Sequence, residues 1–585
     1  MKKWNLDKLY LGFDDPAFLR DMELLNKLIQ KTIKKEDEFE NYDSKQQKLL
    51  TFLETEIDLS TIVDKLMHFT SLMASVESTN QEAIKNMNAI QTNLTKLTKI
   101  EVLFQKWLLK YPNIEEDINN NDFLKEHEFH IFEMIKHARH TLDDFTESLI
   151  SKLIQNGSIS WSRLQSLLTS TLVVDYEGKE ITLSEIRNLA NNPNASVRKS
   201  AYEAELEAYK KIEKSIAFSI NAIKGEVNIL TEVRGYKSAL DHALSISRMK
   251  KETLDVMQEA CLEYMPVFRK YLKRKAKLLG HENGLPFYDL FAPIGSSNTK
   301  FTIPEANEYI LKNFKTFSEE LYLMAKKAFR DGWIDYTPRQ GKVGGAFCAN
   351  IHSIKESRIL ANFTGVFGDI ITLSHELGHA FHGESIFNES ILNSNYTMPV
   401  AETASTFCET IVNKAALKDA ASKDEKIFLL ESSIQDYTQV IVDIMSRFIF
   451  EKSVFEGRKE TVFDENELKD LMIKAQKETY GNGLDSNYLH PYMWVCKSHY
   501  YSGELSYYNF PYTFGLLFAK GLYAKYLEDK DNFVSLYNKL LAATGKMMVE
   551  DTALLAGIDV TKKEFWVSSL ELLKEDVDLF LELTK

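Results

Sequence analysis

The sequence has 585 residues with 71 basic and 85 acidic side chains, which gives a formal net charge of −14. Because a protein that holds nucleic acid needs a basic surface for the phosphates, this charge argues against a nucleic-acid partner. Apolar residues make up 44% of the chain, which excludes disorder for most of it, and the low counts of glycine (24) and proline (11) favour helices.

The first half of the chain is predicted to be mostly helical. From Met22 to about residue 155, apolar residues recur at spacings of three and four, as expected for helices that bury one face. A hairpin is predicted between Thr171 and Leu183, around the turn at Gly178. Long helices restart at Ala195, so we expect two domains, residues 1–190 and 191–585.

The second half contains one predicted hairpin among further helices. Its strands are expected at residues 346–353 and 358–363, and a helix follows from Asp369 to about Ile386. Pro399 is expected to open the next helix, since proline is best tolerated in the first turn. From Lys426 onward the pattern is again helical, except for an aromatic, glycine-containing stretch from Tyr500 to Gly515.

Cysteine usage and the N-terminus indicate a cytoplasmic protein. The four cysteines lie far apart and form no C-x-x-C pair, which is typical of a reducing compartment. The charged start at Lys2 and Lys3 differs from a secretory signal, and no apolar run reaches about 18 residues. We therefore expect no membrane partner.

The segment His375-Glu376-Leu377-Gly378-His379 is an H-E-x-x-H sequence within a predicted helix. Four residues turn a helix through about 400°, so both imidazoles point the same way and can bind one ion. Glu376 lies beside that ion without occupying the same position, as a general base requires. The pattern predicts one catalytic Zn²⁺ per chain.

The third metal ligand must come from elsewhere in the sequence. A metzincin would carry histidine at position 385, which is Ser385, so that class is excluded. Glu402 is a candidate because it is expected in the first turn of the helix after Pro399, where the helix dipole favours a carboxylate. Glu409 is the competitor, although it could instead hydrogen-bond a ligating histidine.

Several motifs together resemble the oligoendopeptidase F family of thimet-oligopeptidase-like zinc metallopeptidases. The similarity extends over nearly the whole chain. The motifs are Trp4-Asn5-Leu6, His140-Thr141-Leu142, Ala361 to Gly365, Asp369, His375 to His382, Ala401 to Ser405 and Tyr508 to Gly515.

The resemblance implies a mostly α, elongated fold with a deep substrate channel, in which residues 191–585 form the metallopeptidase domain. It implies cleavage of internal bonds in short oligopeptides, which are then the expected partners; it does not specify an oligomeric state. It matches His375, His379 and Glu402 to the zinc ligands and Glu376 to the catalytic acid/base.

The resemblance also implies substrate-contacting residues outside the metal motif. His499, Tyr508 and Tyr512 match a histidine and tyrosines that lie over the substrate carbonyl, with Tyr507 as an alternative to Tyr508. Neutral phenol and imidazole donors can stabilise an oxyanion. Gly344 and Gly345 precede the first strand of the predicted hairpin, where a bare backbone would let an extended peptide pair with the strand edge.

Two alternatives to an endopeptidase remain open. A carboxypeptidase or dipeptidyl-carboxypeptidase of the same superfamily would hold the substrate carboxylate with a basic side chain, and no sequence feature excludes it. A helical binding protein with a structural zinc is the alternative outside enzymes, but it would have no need of Glu376 or of His499 and Tyr512.

Overall fold

The computed structural model describes residues 3–37, 39, 41–42, 44–296 and 299–585. Helices account for 69% of the structure, and the sheets are small, so the predicted mostly helical class is confirmed. The chain forms two compact units, each assembled from three segments. The first unit contains Met1–His140, Thr299–Ala415 and Lys525–Gly557, and the second contains Thr141–Asn298, Ala416–Ala524 and Ile558–Lys585. The predicted domain boundary near residue 190 stays a prediction.

The segment up to His140 consists of helices that pack around one apolar core in the first unit. Ser44 begins the longest of them, because its hydroxyl accepts a hydrogen bond from the backbone N–H of Gln47. The helices are α1 (Pro16–Lys34), α2 (Lys45–Val76), α3 (Gln81–Leu94), α4 (Thr98–Leu108), α5 (Ile114–Asn119), α6 (Asp122–Glu126) and α7 (Glu128–Ala138).

The next segment begins the second unit and contains the predicted hairpin. Glu177 and Gly178 both have positive φ (50° and 74°), which is the geometry of a two-residue hairpin turn. The elements are α8 (Asp144–Asn156), α9 (Ser158–Ser170), β1 (Val173–Tyr176), β2 (Lys179–Thr182), α10 (Leu183–Asn188), α11 (Ala195–Tyr209), α12 (Glu213–Val233), α13 (Ala239–Ile246) and α14 (Lys251–Leu278). Between Ala195 and Val233 the chain thus forms two helices, α11 and α12.

The central segment of the first unit contains a three-stranded sheet with strand order β3-β5-β4. Strand β5 pairs in parallel with β3 and antiparallel with β4, which leaves one edge of β4 unpaired within this sheet. The elements are α15 (Ile303–Phe314), α16 (Glu319–Arg330), β3 (Ile334–Asp335), β4 (Phe347–Ile351), β5 (Glu356–Leu360), α17 (Phe367–Ile386), α18 (Met398–Ala401) and α19 (Thr403–Asp419). The predicted hairpin and the following helix are confirmed.

The remaining helices complete both units. They are α20 (Lys423–Thr438), α21 (Ile444–Gly457), α22 (Glu465–Tyr480), α23 (Phe510–Glu528), α24 (Lys530–Ala543), α25 (Val549–Leu554) and α26 (Lys563–Leu583). A π-helical turn, Gln439–Asp443, joins α20 to α21. The prediction that residues 500–515 are not helical is wrong after Phe510, because α23 begins there. Among the described residues, none of the helices is both long and apolar enough to span a bilayer.

Candidate functional site

The H-E-x-x-H sequence lies in α17, whose start is fixed by Asp369. One carboxylate oxygen of Asp369 accepts hydrogen bonds from the backbone N–H groups of Thr364 (2.6 Å), Gly365 (2.8 Å) and Val366 (3.1 Å). A carboxylate in the first helical turn satisfies otherwise unpaired donors and complements the helix dipole. This cap sets where the helix begins and therefore the direction of its histidines.

Two glycines let α17 approach its neighbours closely. A Cβ atom at Gly378 would lie 2.5 Å from the carbonyl oxygen of Ala404 and 2.5 Å from the Cα of Ser405. A Cβ atom at Gly383 would lie 2.5 Å from the side-chain oxygen of Asn350 in β4. The helix is thus in direct contact with the backbone of α19 on one side and with the hairpin on another.

The structure brings the three predicted metal ligands together. One ligand atom each from His375, His379 and Glu402 lies within 4.8 Å of the others. The Nε2 atoms of the histidines are 3.1 Å apart, and Glu402 Oε2 is 3.2 Å from that of His375 and 3.4 Å from that of His379. Two imidazoles and one carboxylate facing a common point are the donor set of a catalytic zinc site.

Glu402 reaches this point from a break between two helices, and not from within a helix as expected. Helix α18 ends at Ala401, and Glu402 (φ −90°, ψ 6°) precedes the first residue of α19. Its carbonyl oxygen accepts the hydrogen bond from the N–H of Thr406, so it acts as the N-terminal cap of α19. The Ser405 hydroxyl donates to Glu402 Oε2 (2.6 Å) and fixes the carboxylate.

Glu409 binds the opposite edge of the His375 ring. Its Oε1 atom is 2.5 Å from His375 Nδ1, so in the neutral ring Nδ1 donates to the carboxylate and Nε2 keeps its lone pair. The backbone carbonyl of His379 accepts a hydrogen bond from the side-chain amide of Asn350 (3.1 Å). These contacts orient the histidines toward Glu402.

Glu402 and His375 each shift the pKa of the other. Burial acts to raise the pKa of Glu402, but the hydrogen bonds and charges of His375 and His379 outweigh it and hold that pKa well below its usual value. Burial likewise opposes the charged form of His375, yet Glu402 and Glu409 raise its pKa. Protons and a metal ion bind the same lone pairs, so the negative charges that favour a proton on His375 also favour a metal ion. This environment therefore suits a divalent cation.

Glu376 is adjacent to this cluster and is 6% exposed. Its Oε2 atom is buried and has no hydrogen-bond partner among the described residues. Burial raises the pKa of Glu376, against the lowering effect of the two histidines. An unpartnered carboxylate oxygen beside a metal site is available to take a proton.

Gly344 and Gly345 lie two to three residues before β4, one of the two edge strands of the sheet. No atom lies within 4 Å of a Cβ built on either residue, so the space above both is open. Gly345 has φ +77°, which favours glycine, and its carbonyl oxygen accepts a hydrogen bond from the side-chain amide of Asn362 (2.8 Å). The approach to the edge of β4 is thus open at its first end.

The remaining predicted residues lie together in the second unit. The hydroxyl oxygens of Tyr508 and Tyr512 are 2.8 Å apart, and the rings of His499 and Tyr508 stack with centroids 5.9 Å apart. The side-chain amide of Asn509 donates to His499 Nε2 (2.6 Å). Burial and the nearby Arg447 lower the pKa of His499 to about 3, so the ring is neutral.

Tyr507, the alternative to Tyr508, is buried. Its ring packs against Phe448 and Phe455, with centroids 5.0 and 5.4 Å apart. It adopts φ 54°, which turns the chain between it and Tyr508. The geometry therefore favours Tyr508 as the partner of Tyr512.

Several residues that shape the site carry no local signal of that role, although Gly378 and Ser405 lie within the motifs of the family resemblance. Gly378 resembles any helical glycine until the contact with Ala404 is seen, and Ser405 and Asn350 are ordinary polar residues. Asn509 could have been noticed only because it lies beside Tyr508.

Comparison with known proteins covers both halves of the chain. The sequence model of peptidase family M3 matches residues 188–572, and that of oligopeptidase F matches residues 109–173. Oligopeptidase PepF of Bacillus subtilis is 25% identical over 490 residues, covering 80% of this chain and 72% of that protein. An oligoendopeptidase F homolog of Borreliella burgdorferi is 24% identical, covering 98% and 96%. The crystal structure of oligoendopeptidase F from Enterococcus faecium superposes with a TM-score of 0.72 at 18% identity, covering 97% of this chain and 98% of that one.

Proposed function

The chain belongs to peptidase family M3, and from this premise we propose that it is a zinc-dependent endopeptidase that hydrolyses internal bonds of short oligopeptides. The observation that carries the proposal is the convergence of the ligand atoms of His375, His379 and Glu402 within 4.8 Å, with the buried carboxylate of Glu376 beside them. The names of the relatives, which are oligopeptidases and oligoendopeptidases, support this substrate class.

The three ligands would hold the ion, and the donor set fits zinc. When bound, the ion supplies Lewis-acid chemistry, which lowers the pKa of water and polarises the scissile carbonyl. Glu376 Oε2 takes the proton from the attacking water and then returns it to the leaving amine. The raised pKa of Glu376 brings it nearer to neutral pH, where a general base works well.

We assign Tyr512 as a hydrogen-bond donor to the developing oxyanion, with Tyr508 and His499 assisting it. In the hydrogen bond between the two hydroxyls Tyr508 can donate to Tyr512, so that the Tyr512 O–H can point to the oxyanion. The His499 imidazole is neutral and therefore adds no charge beside the pair. We assign the edge of β4 after Gly344 and Gly345 as the strand to which an extended peptide adds, because backbone pairing there is independent of the peptide sequence.

The decisive experiment uses a quenched fluorescent peptide blocked at both ends. We expect chelator-sensitive cleavage of this peptide, restored by one equivalent of Zn²⁺. The same peptide with a free C-terminus is measured beside it. A carboxypeptidase would cleave only this second peptide, and a binding protein would cleave neither peptide. Either result contradicts the proposed endopeptidase.

The role of Glu376 is tested with Glu376→Gln. Glutamine keeps the shape of the side chain but cannot accept the proton, so we expect unchanged metal content and a loss of turnover of more than about 10³-fold. Metal content is measured by elemental analysis and turnover with the blocked peptide. A variant that cleaves at close to the wild-type rate excludes Glu376 as the base.

A further inference from the structure

The second unit contains a cavity of about 260 Å³ that no step of the proposed reaction uses. Its wall combines ionisable side chains with aromatic rings, among them Tyr202 and Phe287. The π-helical turn Gln439–Asp443 forms part of this wall and directs both of its end residues to the cavity. Turns of this type occur often at functional sites, because the extra residue redirects side chains.

Most charges around the cavity are already paired. Arg198 Nε donates to Asp289 (2.7 Å), and both side chains are almost fully buried. Arg187 lies 3.2 Å from Glu205, and Arg447 forms an ion pair with Asp443. Each buried carboxylate thus has its own guanidinium.

Lys497 is the exception in this cavity wall. Its ammonium makes no hydrogen bond or ion pair with any residue that the structure describes. Burial and the neighbouring Arg447 lower its pKa, although Asp443 acts in the opposite direction. The Lys497 side chain is half-buried, and because Arg447 lies near its ammonium, an anion in the cavity would stabilise the charged form.

His490 adds an unused polar group to the same wall. The side chain is 2% exposed, and neither ring nitrogen has a hydrogen-bond partner among the described residues. Its Nε2 atom lies 3.4 Å from Glu205, outside hydrogen-bond geometry, while its backbone is fixed by Gln476. A buried unpartnered imidazole that lines a cavity can donate an N–H to a bound acceptor.

We propose that this cavity binds one small inorganic anion of chloride type, held by Lys497 with an N–H donor from His490. The paired charges leave a surplus of one positive charge, which matches a monovalent anion. The volume holds such an ion together with several waters, each of which takes about 30 Å³. The site does not depend on the peptidase activity.

The site borders the segment that carries His499. Lys497 precedes His499 by two residues, and the backbone carbonyl of Lys497 accepts a hydrogen bond from the N–H of Tyr500. Arg447 in turn donates to the side chain of Asn509 (3.3 Å). An anion at Lys497 would therefore stabilise the chain leading to His499.

Chloride binding is measured in two ways on the full chain. The ³⁵Cl NMR line width reports bound chloride directly, and the melting temperature is compared in sodium chloride and sodium gluconate at equal concentration. For the wild type we expect a ³⁵Cl line that is broader than in the same buffer without protein. We also expect a melting temperature about 1–3 °C higher in chloride than in gluconate, because bound chloride stabilises the native state by mass action.

Three variants separate the site from general salt effects. Lys497→Met should lose both the excess line width and the chloride-dependent shift, whereas Lys497→Arg should retain them. Lys474→Met, at an exposed position of α22, makes the same change in net charge and should behave like the wild type. Equal chloride dependence in Lys497→Met and Lys474→Met, or no excess line width in the wild type, would overturn the proposal.

Discussion

The contact at Gly378 gives a test of how the metal site is assembled. In Gly378→Ala the new Cβ must move from 2.5 Å to about 3.4 Å from Ala404 and Ser405, which is the start of ordinary contact. Both neighbours are backbone atoms, so no side chain can rotate away. Helix α17 and the start of α19 must therefore separate by about 0.9 Å, a distance obtained from the same contacts.

This shift acts directly on the ligands, since α17 carries both histidines and Glu402 precedes α19. Metal–ligand distances tolerate changes of only about 0.2 Å, and even loss of a supporting contact costs about 10–100-fold in affinity. We expect Gly378→Ala to weaken zinc binding by at least about 10-fold. Overpacking costs about 1–3 kcal/mol of unfolding free energy, partly offset by about 1 kcal/mol from the better helix former.

Gly368→Ala is the matched control on the same helix. The nearest atom to a Cβ there is Val366 Cγ2 at 4.0 Å, so the substitution is free of strain. Zinc affinity is measured by competition with a chromogenic chelator, and stability by melting of the metal-free proteins. If Gly378→Ala binds zinc as tightly as Gly368→Ala, helix contact at this glycine does not set the ligand geometry.

Two further predictions concern Tyr512 and His382. Tyr512→Phe removes only the hydroxyl and should lower kcat by about 10²–10³-fold with little change in KM, whereas a purely structural tyrosine would lower the melting temperature and leave kcat within a few-fold. His382 is buried, stacks on Tyr396 and has a pKa lowered to about 3, mainly by burial. In the unfolded chain this imidazole takes up a proton below pH ~6.5, so the free energy of unfolding falls as the pH drops from there toward 3. At pH 5 the wild type should lose about 2 kcal/mol that His382→Asn does not lose. The two proteins are compared by denaturant unfolding at pH 7 and pH 5. Parallel pH profiles for the two proteins would contradict a neutral buried imidazole.

Helical periodicity alone predicted the relation between His375 and His379, because it depends only on local backbone geometry. The same reasoning placed Asp369 at a helix start and the hairpin before it. Both features depend on residues that are close together in the chain, so the local sequence can predict them. The tyrosine pair, in contrast, came only from the resemblance. Tyr508 and Tyr512 are four residues apart at the start of α23, but the sequence predicted no helix there.

Local sequence reasoning favoured Glu402 as the third ligand but left Glu409 open, and the family resemblance then matched Glu402. Seven residues return a helix to nearly the same face, so Glu409 could also face one of the rings. Their roles depend on how α19 approaches α17, and that approach depends on Gly378. A glycine within a helix normally indicates only a cost in helix propensity, so its packing role is invisible before the fold is known.

The break at Glu402 explains why two acidic residues with the same helical phase take different positions around His375. Positions seven apart are separated by about 10 Å along a helix axis, far more than the width of an imidazole. Glu409, within α19, reaches Nδ1 at 2.5 Å, whereas Glu402, outside the helix, has the backbone freedom to face Nε2 at 3.2 Å. Two carboxylates therefore contact opposite edges of the ring: Glu409 fixes the tautomer at Nδ1, and Glu402 lies beside Nε2 at the proposed metal position. An uninterrupted helix from Met398 would hold both glutamates on one face, about 10 Å apart along its axis.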